Sequence, residues 1–191
     1  MAAQHKAGSP HLIGDGMYEE DLEFPRLFRI PVTALNIIWG KDPRFWRIIP
    51  FTDTDEDVRS TGFKQSALLV QVNWLEVTGK LPVSLFRSGS ATKYEIYYAV
   101  NFRVDAFGWH SAPIRFKVRV NGEETEKSMI LEPYREKYGV WQEIHGGEFS
   151  VSDVVDNGDG EVKFGMYEVD SDWWKGSMVL AGVKIMAKAG N

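Results

Sequence analysis

The sequence predicts an all-β fold, an antiparallel β-sandwich or barrel, of which the jelly roll is one member. Three observations carry this expectation. Two stretches alternate apolar and polar residues, turn-forming residues recur between short apolar runs, and no stretch keeps the 3.6-residue period of a long helix. In the clearest stretch Tyr94, Ile96, Tyr98, Val100, Phe102 and Val104 share one side, opposite Glu95, Tyr97, Ala99, Asn101 and Arg103. That is the pattern of a strand with one wet face. Ile114, Phe116, Val118 and Val120 repeat it against Arg115, Lys117 and Arg119, and the run stops at Asn121-Gly122, a strong hairpin signal.

Along the chain, residues 1–24 are short of apolar groups and lack periodicity, so they are expected to form a mobile arm ahead of a single domain spanning 25–191. Residues 24–31 are apolar enough to dock on that domain, and their prolines favour extended backbone. Residues 34–39 read as a strand that breaks off at Gly40, Asp42 and Pro43, and residues 47–51 as the next strand. The acidic run 52–57 lacks the glycine and distal glutamate of an EF-hand and is expected to be a solvated loop. Residues 68–77 read as one strand, with a bulge where the apolar side slips from Val72 and Trp74 to Leu75 and Val77, and with a turn behind it at 78–80. Residues 82–86 suit one helical turn. Further on, 129–131 reads as a short strand, 133–137 as a polar loop, and 140–144 as a strand closed by His145-Gly146-Gly147. Residues 153–161 suit a long hairpin turn with Gly158 and Gly160 in special backbone angles. Val162, Phe164 and Met166 alternate again, and 178–187 is the last apolar run.

Composition narrows the function classes. A chain of 191 residues with 43% hydrophobic and 26% charged residues can bury a full core as one domain. The net charge of −5 argues against nucleic acid as a main partner, because phosphate neutralisation needs clustered Lys and Arg. Cysteine is missing, which excludes disulfides, thiol catalysis and thiolate zinc sites. The first ten residues lack the apolar core of a secretory signal, no run approaches a membrane span, and Asn-x-Ser/Thr does not occur. Residence in the cytosol, with no membrane partner, is the expectation.

Catalytic constellations are weak. The Gly-x-Ser-x-Gly elbow is missing, so His145-Gly-Gly is an isolated fragment of an oxyanion motif. His5, His11, His110 and His145 show no metal-ligand spacing, and Trp174-Lys-Gly-Ser lacks the glycines of a phosphate loop. Glu143, Glu148, Glu168 and Asp170 could supply a glycosidase carboxylate pair, but acids at alternate strand positions read first as a solvated face. A non-enzymatic protein without a cofactor is expected. What remains is binding, in which an indole face packs against the C–H groups of a sugar ring and nearby polar groups fix its hydroxyls. Trp39 and Trp46 fit either that role or the core, and the residues alone leave both open. Trp74, Trp141 and Trp173 or Trp174 are expected to pack in or along the core.

The runs from Ala34 through Trp39 to Trp46, Trp74-Leu-Glu-Val-Thr-Gly-Lys80, Tyr94-x-Ile-Tyr-Tyr98, Trp141-x-Glu-Ile followed by Gly-Glu-Phe149, and Trp174-Lys-Gly-Ser-Met-Val-Leu-Ala-Gly-Val-Lys-Ile185 resemble the phloem protein 2 family of plant lectins, in order from about residue 33 to 188. The resemblance implies a jelly-roll sandwich that forms homodimers in the cytoplasm and nucleus and binds oligomers of N-acetylglucosamine and the cores of N-glycans. It also implies sugar-binding roles for Trp39, Trp46 and Glu148. Asp42 and Asn36, close by in the chain, are candidates for further hydrogen bonds. A second glutamate of the family pattern falls on Gly158, and the lysine-rich nuclear signal of the family has no counterpart between Asn121 and Tyr138.

Overall fold

The computed structural model describes residues 8–23, 25–52, 56–88, 90–151 and 160–188. In chain order the strands are β1 (Glu19–Asp21), β2 (Leu27–Pro31), β3 (Asn36–Ile37), β4 (Trp46–Pro50), β5 (Gln65–Val72), β6 (Leu75–Pro82), β7 (Lys93–Phe107), β8 (Ile114–Val120), β9 (Glu123–Met129), β10 (Gln142–Ser150), β11 (Glu161–Glu168) and β12 (Lys175–Ala187). Three short helices, α1 (Glu56–Thr61), α2 (Ser84–Arg87) and α3 (Glu132–Arg135), sit between them.

The strands form two antiparallel sheets, the β-sandwich that the alternation predicts. One sheet runs β3-β6-β11-β8-β9. The other is built on β12, which pairs with β7 along one edge and with both β5 and β2 along the opposite edge. Outside these, β10 joins β7, β4 joins β5 and β1 joins β2. Strand β12 is central because it is apolar on both faces, and residues 178–183 are buried wherever their side chains point.

Between the sheets lies one core. Tyr94, Ile96, Tyr98, Val100 and Phe102 of β7 enter it from one side, and Ile114, Phe116 and Val118 of β8 from the other. Phe86, Tyr94 and Phe149 pack as a ring cluster, with centroids 4.9 Å apart for Phe86 and Tyr94 and 5.1 Å for Phe86 and Phe149. Each such burial contributes about 1.5–3 kcal/mol.

Several expectations are corrected. The single strand over 68–77 is two strands in different sheets, with the chain crossing from β5 to β6 at Asn73 and Trp74, so the phase slip marks the passage from one sheet to the other. The supposed turn at 78–80 lies inside β6, where Gly79 leaves room for the Phe164 ring that a Cβ would meet at 2.5 Å. Strand β10 continues through His145-Gly146-Gly147, because a bulge between His145 and Gly147 absorbs the extra residue without ending the ladder. Strand β9 covers Glu123–Met129, not 129–131. It is an exposed edge strand that satisfies its backbone against β8 and has no buried face to mark with apolar residues. Val104 is exposed, since β7 bulges between Phe102 and Phe107, where its register with β12 shifts, before Ala106 returns to the core.

Other expectations hold. Asn121 and Gly122 both take positive φ, 52° and 84°, as a two-residue hairpin turn requires. The helical turn expected at 82–86 is α2. The loop expected at 52–57 is corrected at its end, where Glu56 and Asp57 open α1; residues 53–55, and 153–159 of the turn expected at 153–161, lie outside the described residues, and Glu161 already begins β11. Of the stretch expected as a mobile arm, Leu12 bridges to Ile37 and β1 pairs with β2, so this part lies against the sandwich.

Candidate functional site

The loop between β3 and β4 is wound by four backbone bonds. Gly40 N–H donates to Ile37 O, Asp42 N–H to Trp39 O, and the N–H groups of Phe45 and Trp46 both donate to Asp42 O. At its start Trp39 holds a left-handed backbone, φ 63°, rare for a bulky residue. Its indole is 37% exposed and leans on the rings of His11 and Phe45, with centroids 5.0 Å and 5.7 Å away.

The other predicted residues of this stretch have different work. Trp46 is 2% exposed and faces the core, so it offers no surface to a ligand. Its expected stacking role is corrected on that ground: the first residue of β4 points inward, and Arg47 takes the solvent side. Asp42 accepts from Arg44 N–H at 3.0 Å and from the Arg44 guanidinium at 2.7 Å, which closes the turn. That guanidinium also holds the Asp42 carboxyl below the usual carboxylate range. Asn36 Oδ1 accepts Gly14 N–H at 2.9 Å and so ties the N-terminal segment to β3.

Glu148 does not join them. It pairs with Glu95 on β7 at the level of Met186 on β12, whereas Trp46 pairs with Leu69 on β5 at the level of Met178. Four strand spacings across the sheet and eight residues along it separate the two by on the order of 30 Å. Trp39 lies past β3, the edge of its sheet away from β8 and β9, and it is β8 and β9 that β10 contacts. The Glu148 carboxylate receives Lys188 Nζ at 2.8 Å, and this bond lowers its pKa. Glu95, His145 and Glu148 bring possible ligand atoms within 4.8 Å of one another, the kind of group that can hold a metal ion. The cation among them is the Lys188 ammonium, which is also 3.4 Å from Glu95, and Lys127 Nζ stands 3.3 Å from His145 Nδ1. This is a salt-bridged cluster already supplied with positive charge.

What the residue reading missed is at the end of the sandwich that carries Trp39. Trp74, Trp173 and Trp174 are each a little under half exposed, not packed in the core. Trp74 occupies the β5–β6 turn, whose flanking residues Val72 and Leu75 pair with Lys175 and Glu168, the two ends of the β11–β12 loop. That loop carries Trp173 and Trp174. Ile38 N–H donates to Glu76 O, placing Trp39 beside the same turn. The β7–β8 loop adjoins them too, since Trp109 Nε1–H donates to Gly176 O at 2.9 Å and the His110 ring meets Trp173 edge-on at 5.7 Å. All four exposed tryptophans among the described residues therefore sit on loops at one end. The signal lay in pairing: each follows or precedes a strand end, and only the register shows that those ends coincide.

Beneath this end the β11–β12 loop is braced. The Lys175 ammonium, fully buried, donates to Glu168 and to Trp173 O at 2.8 Å, and Ser171 Oγ–H donates to Glu168 at 2.7 Å. Trp74 Nε1–H donates to Glu76 at 3.0 Å. The indoles are thus presented from fixed backbone, with carboxylates alongside, an arrangement suited to a flat ligand with apolar faces and polar edges.

Comparison with known proteins gives the lineage. A family model described as Phloem protein 2 matches residues 26–187. The chain is similar to Protein PHLOEM PROTEIN 2-LIKE A9 of Arabidopsis thaliana, 26% identical over 186 residues, covering 90% of this chain and 93% of that one. It is similar to PHLOEM PROTEIN 2-LIKE A2 of the same plant, 35% identical over 136 residues, with 69% and 63% covered. A protein named Lectin from Luffa acutangula is 29% identical over 126 residues, with 65% and 55% covered. Among solved structures, a ruminal GH26 endo-β-1,4-mannanase superposes with a TM-score of 0.41 at 14% identity, over 91% of this chain and 28% of that one, a likeness too low to argue from. The matched span takes in β2 to β12, all but the first strand of the sandwich, and the chain belongs to the phloem protein 2 family.

Proposed function

We propose that the protein is a lectin that binds oligomers of N-acetylglucosamine, and the N-acetylglucosamine cores of N-glycans, at the tryptophan-bearing end of its sandwich. The observation that carries this reading is the gathering of Trp39, Trp74, Trp173 and Trp174 on adjoining loops with their faces partly free. The family membership and the lectin from Luffa acutangula support it. A pyranose ring would lay its C–H face on an indole, while Glu76 and Asn73 beside Trp74 meet its hydroxyl and amide groups. A single open site of this kind binds on the order of mM to μM, so pairing of two chains as a homodimer would raise avidity on glycoproteins that carry several glycans. Action in the cytoplasm and nucleus belongs to the same proposal.

Non-enzymatic action is part of the reading, and the carboxylates support it. Glu143 is paired with Lys184, Glu148 with Lys188, Glu168 with Lys175 and Asp170 with Arg115. A glycosidase needs two carboxyl groups facing one another across an open cleft, and each of these is instead engaged by a neighbouring cation.

A second reading, an interaction module of the same fold with sugar binding reduced, is favoured by one observation: Trp46 is buried and Glu148 lies on the far flank. Retention on chitin and on N-glycan supports separates the two. The lectin reading expects retention that Trp39→Ala weakens about tenfold or more, the loss of a stacked aromatic contact, with the thermal midpoint unchanged. Unretained wild-type protein would refute it.

A further inference from the structure

Residues 9–14 precede the span matched by the family model, yet they are fitted to the loop that bears Trp39. His11 Nδ1 accepts the Trp39 backbone N–H at 2.9 Å, and its ring meets the indole edge-on at 5.0 Å. Lys41 N–H donates to Pro10 O at 2.9 Å, and Leu12 and Ile37 exchange two backbone bonds of 3.0 and 2.9 Å. Gly14 closes the contact. Its N–H donates to Asn36 Oδ1, and a Cβ there would fall 2.2 Å from Ala34 O, so no other residue fits without moving the backbone. Between Gly8, Ser9 and Pro10 on one side and Lys41, Asp42 and Pro43 on the other an open cleft of about 450 Å³ remains.

Resting on the lectin reading, we propose that this N-terminal segment is one wall of the sugar site and that His11 is the positioning residue for the Trp39 platform. The left-handed backbone at Trp39 is costly for a bulky side chain and persists only where its surroundings hold it. The acceptor on His11 holds the N–H, and the imidazole edge limits the tilt of the indole. A sugar stacked on Trp39 then meets the His11 ring at its rim, and the next N-acetylglucosamine of an oligomer enters the open cleft that Gly8, Ser9 and Pro43 line beside the Pro10–Lys41 bond. A chain lacking this segment would keep the sandwich and lose the rim.

The test uses the full chain with His11→Ala and His11→Asn, the latter because Asn Oδ1 occupies the place of His Nδ1. Two quantities are read: affinity for tri-N-acetylglucosamine by calorimetry, and hydrogen exchange of the Trp39 amide by NMR without sugar. His11→Ala is expected to weaken affinity about tenfold and speed exchange about tenfold or more, and His11→Asn to restore both to within about threefold. Equal affinity and equal exchange in wild type and His11→Ala would overturn the proposal while leaving the lectin reading intact. Wild-type protein that binds no chito-oligosaccharide overturns the lectin reading, and with it the wall, whatever the exchange rates.

Discussion

Trp39 and Trp46 are seven positions apart and chemically identical, yet the fold gives them opposite tasks. Trp46 opens β4 with its side chain inward and is 2% exposed, and its Nε1–H has no partner among the described residues. Trp46→Ala should therefore cost about 3–5 kcal/mol in urea denaturation, the price of a large core cavity. Trp46→Phe should cost clearly less, because it keeps most of the ring volume and removes the unpaired donor. By contrast Trp39→Ala should shift stability by about 1 kcal/mol or less. Similar losses for the two alanine variants would mean that Trp39 is a core residue after all. The sequence could not part the pair, because both stand next to turn residues and neither lies in a long alternating run. What separates them is the left-handed backbone at one and the strand register at the other.

At the scale of elements, the β11–β12 loop depends on a buried charge. Lys175 is fully buried, and its ammonium is neutralised by Glu168, itself 4% exposed. Glu168→Ala leaves that buried cation without a counter-charge, with the Trp173 carbonyl as its neutral acceptor, and should cost about 3–5 kcal/mol. The double change Glu168→Leu with Lys175→Met removes both charges and should recover most of the loss, as the urea midpoints would show. A double variant no better than the single one would move the cause from charge to packing. This bracing was not legible beforehand: Glu168 stood among alternating acids, and nothing local marks a lysine at a strand start as buried. The alternating strands β7 and β8 and the Asn121-Gly122 hairpin were legible, because each has one buried face and a turn that needs positive φ. Strand β9 and the β5–β6 turn were not. An edge strand exposed on all sides has no apolar period, and a two-residue turn bearing a tryptophan looks like a continued strand.

For the whole molecule the surface charge pattern sets the response to acid. Arg44 lowers the pKa of Asp42, Arg135 that of Glu132, Lys188 that of Glu148 and Lys80 that of Glu161, in each case chiefly through a direct hydrogen bond. A carboxylate whose folded pKa is depressed adds stability that is present above its unfolded value, about 4, and is lost as pH falls through the folded value. In that window the unfolded chain binds more protons than the folded one, so stability must rise with pH. These pairs lie at or near the surface, where solvent weakens them and salt screens them. The urea midpoint should accordingly climb from about pH 2 to about pH 5 and then level off, with the climb shallower in about 1 M salt. A slope in acid that salt leaves unchanged would mean that these surface pairs do not carry the effect.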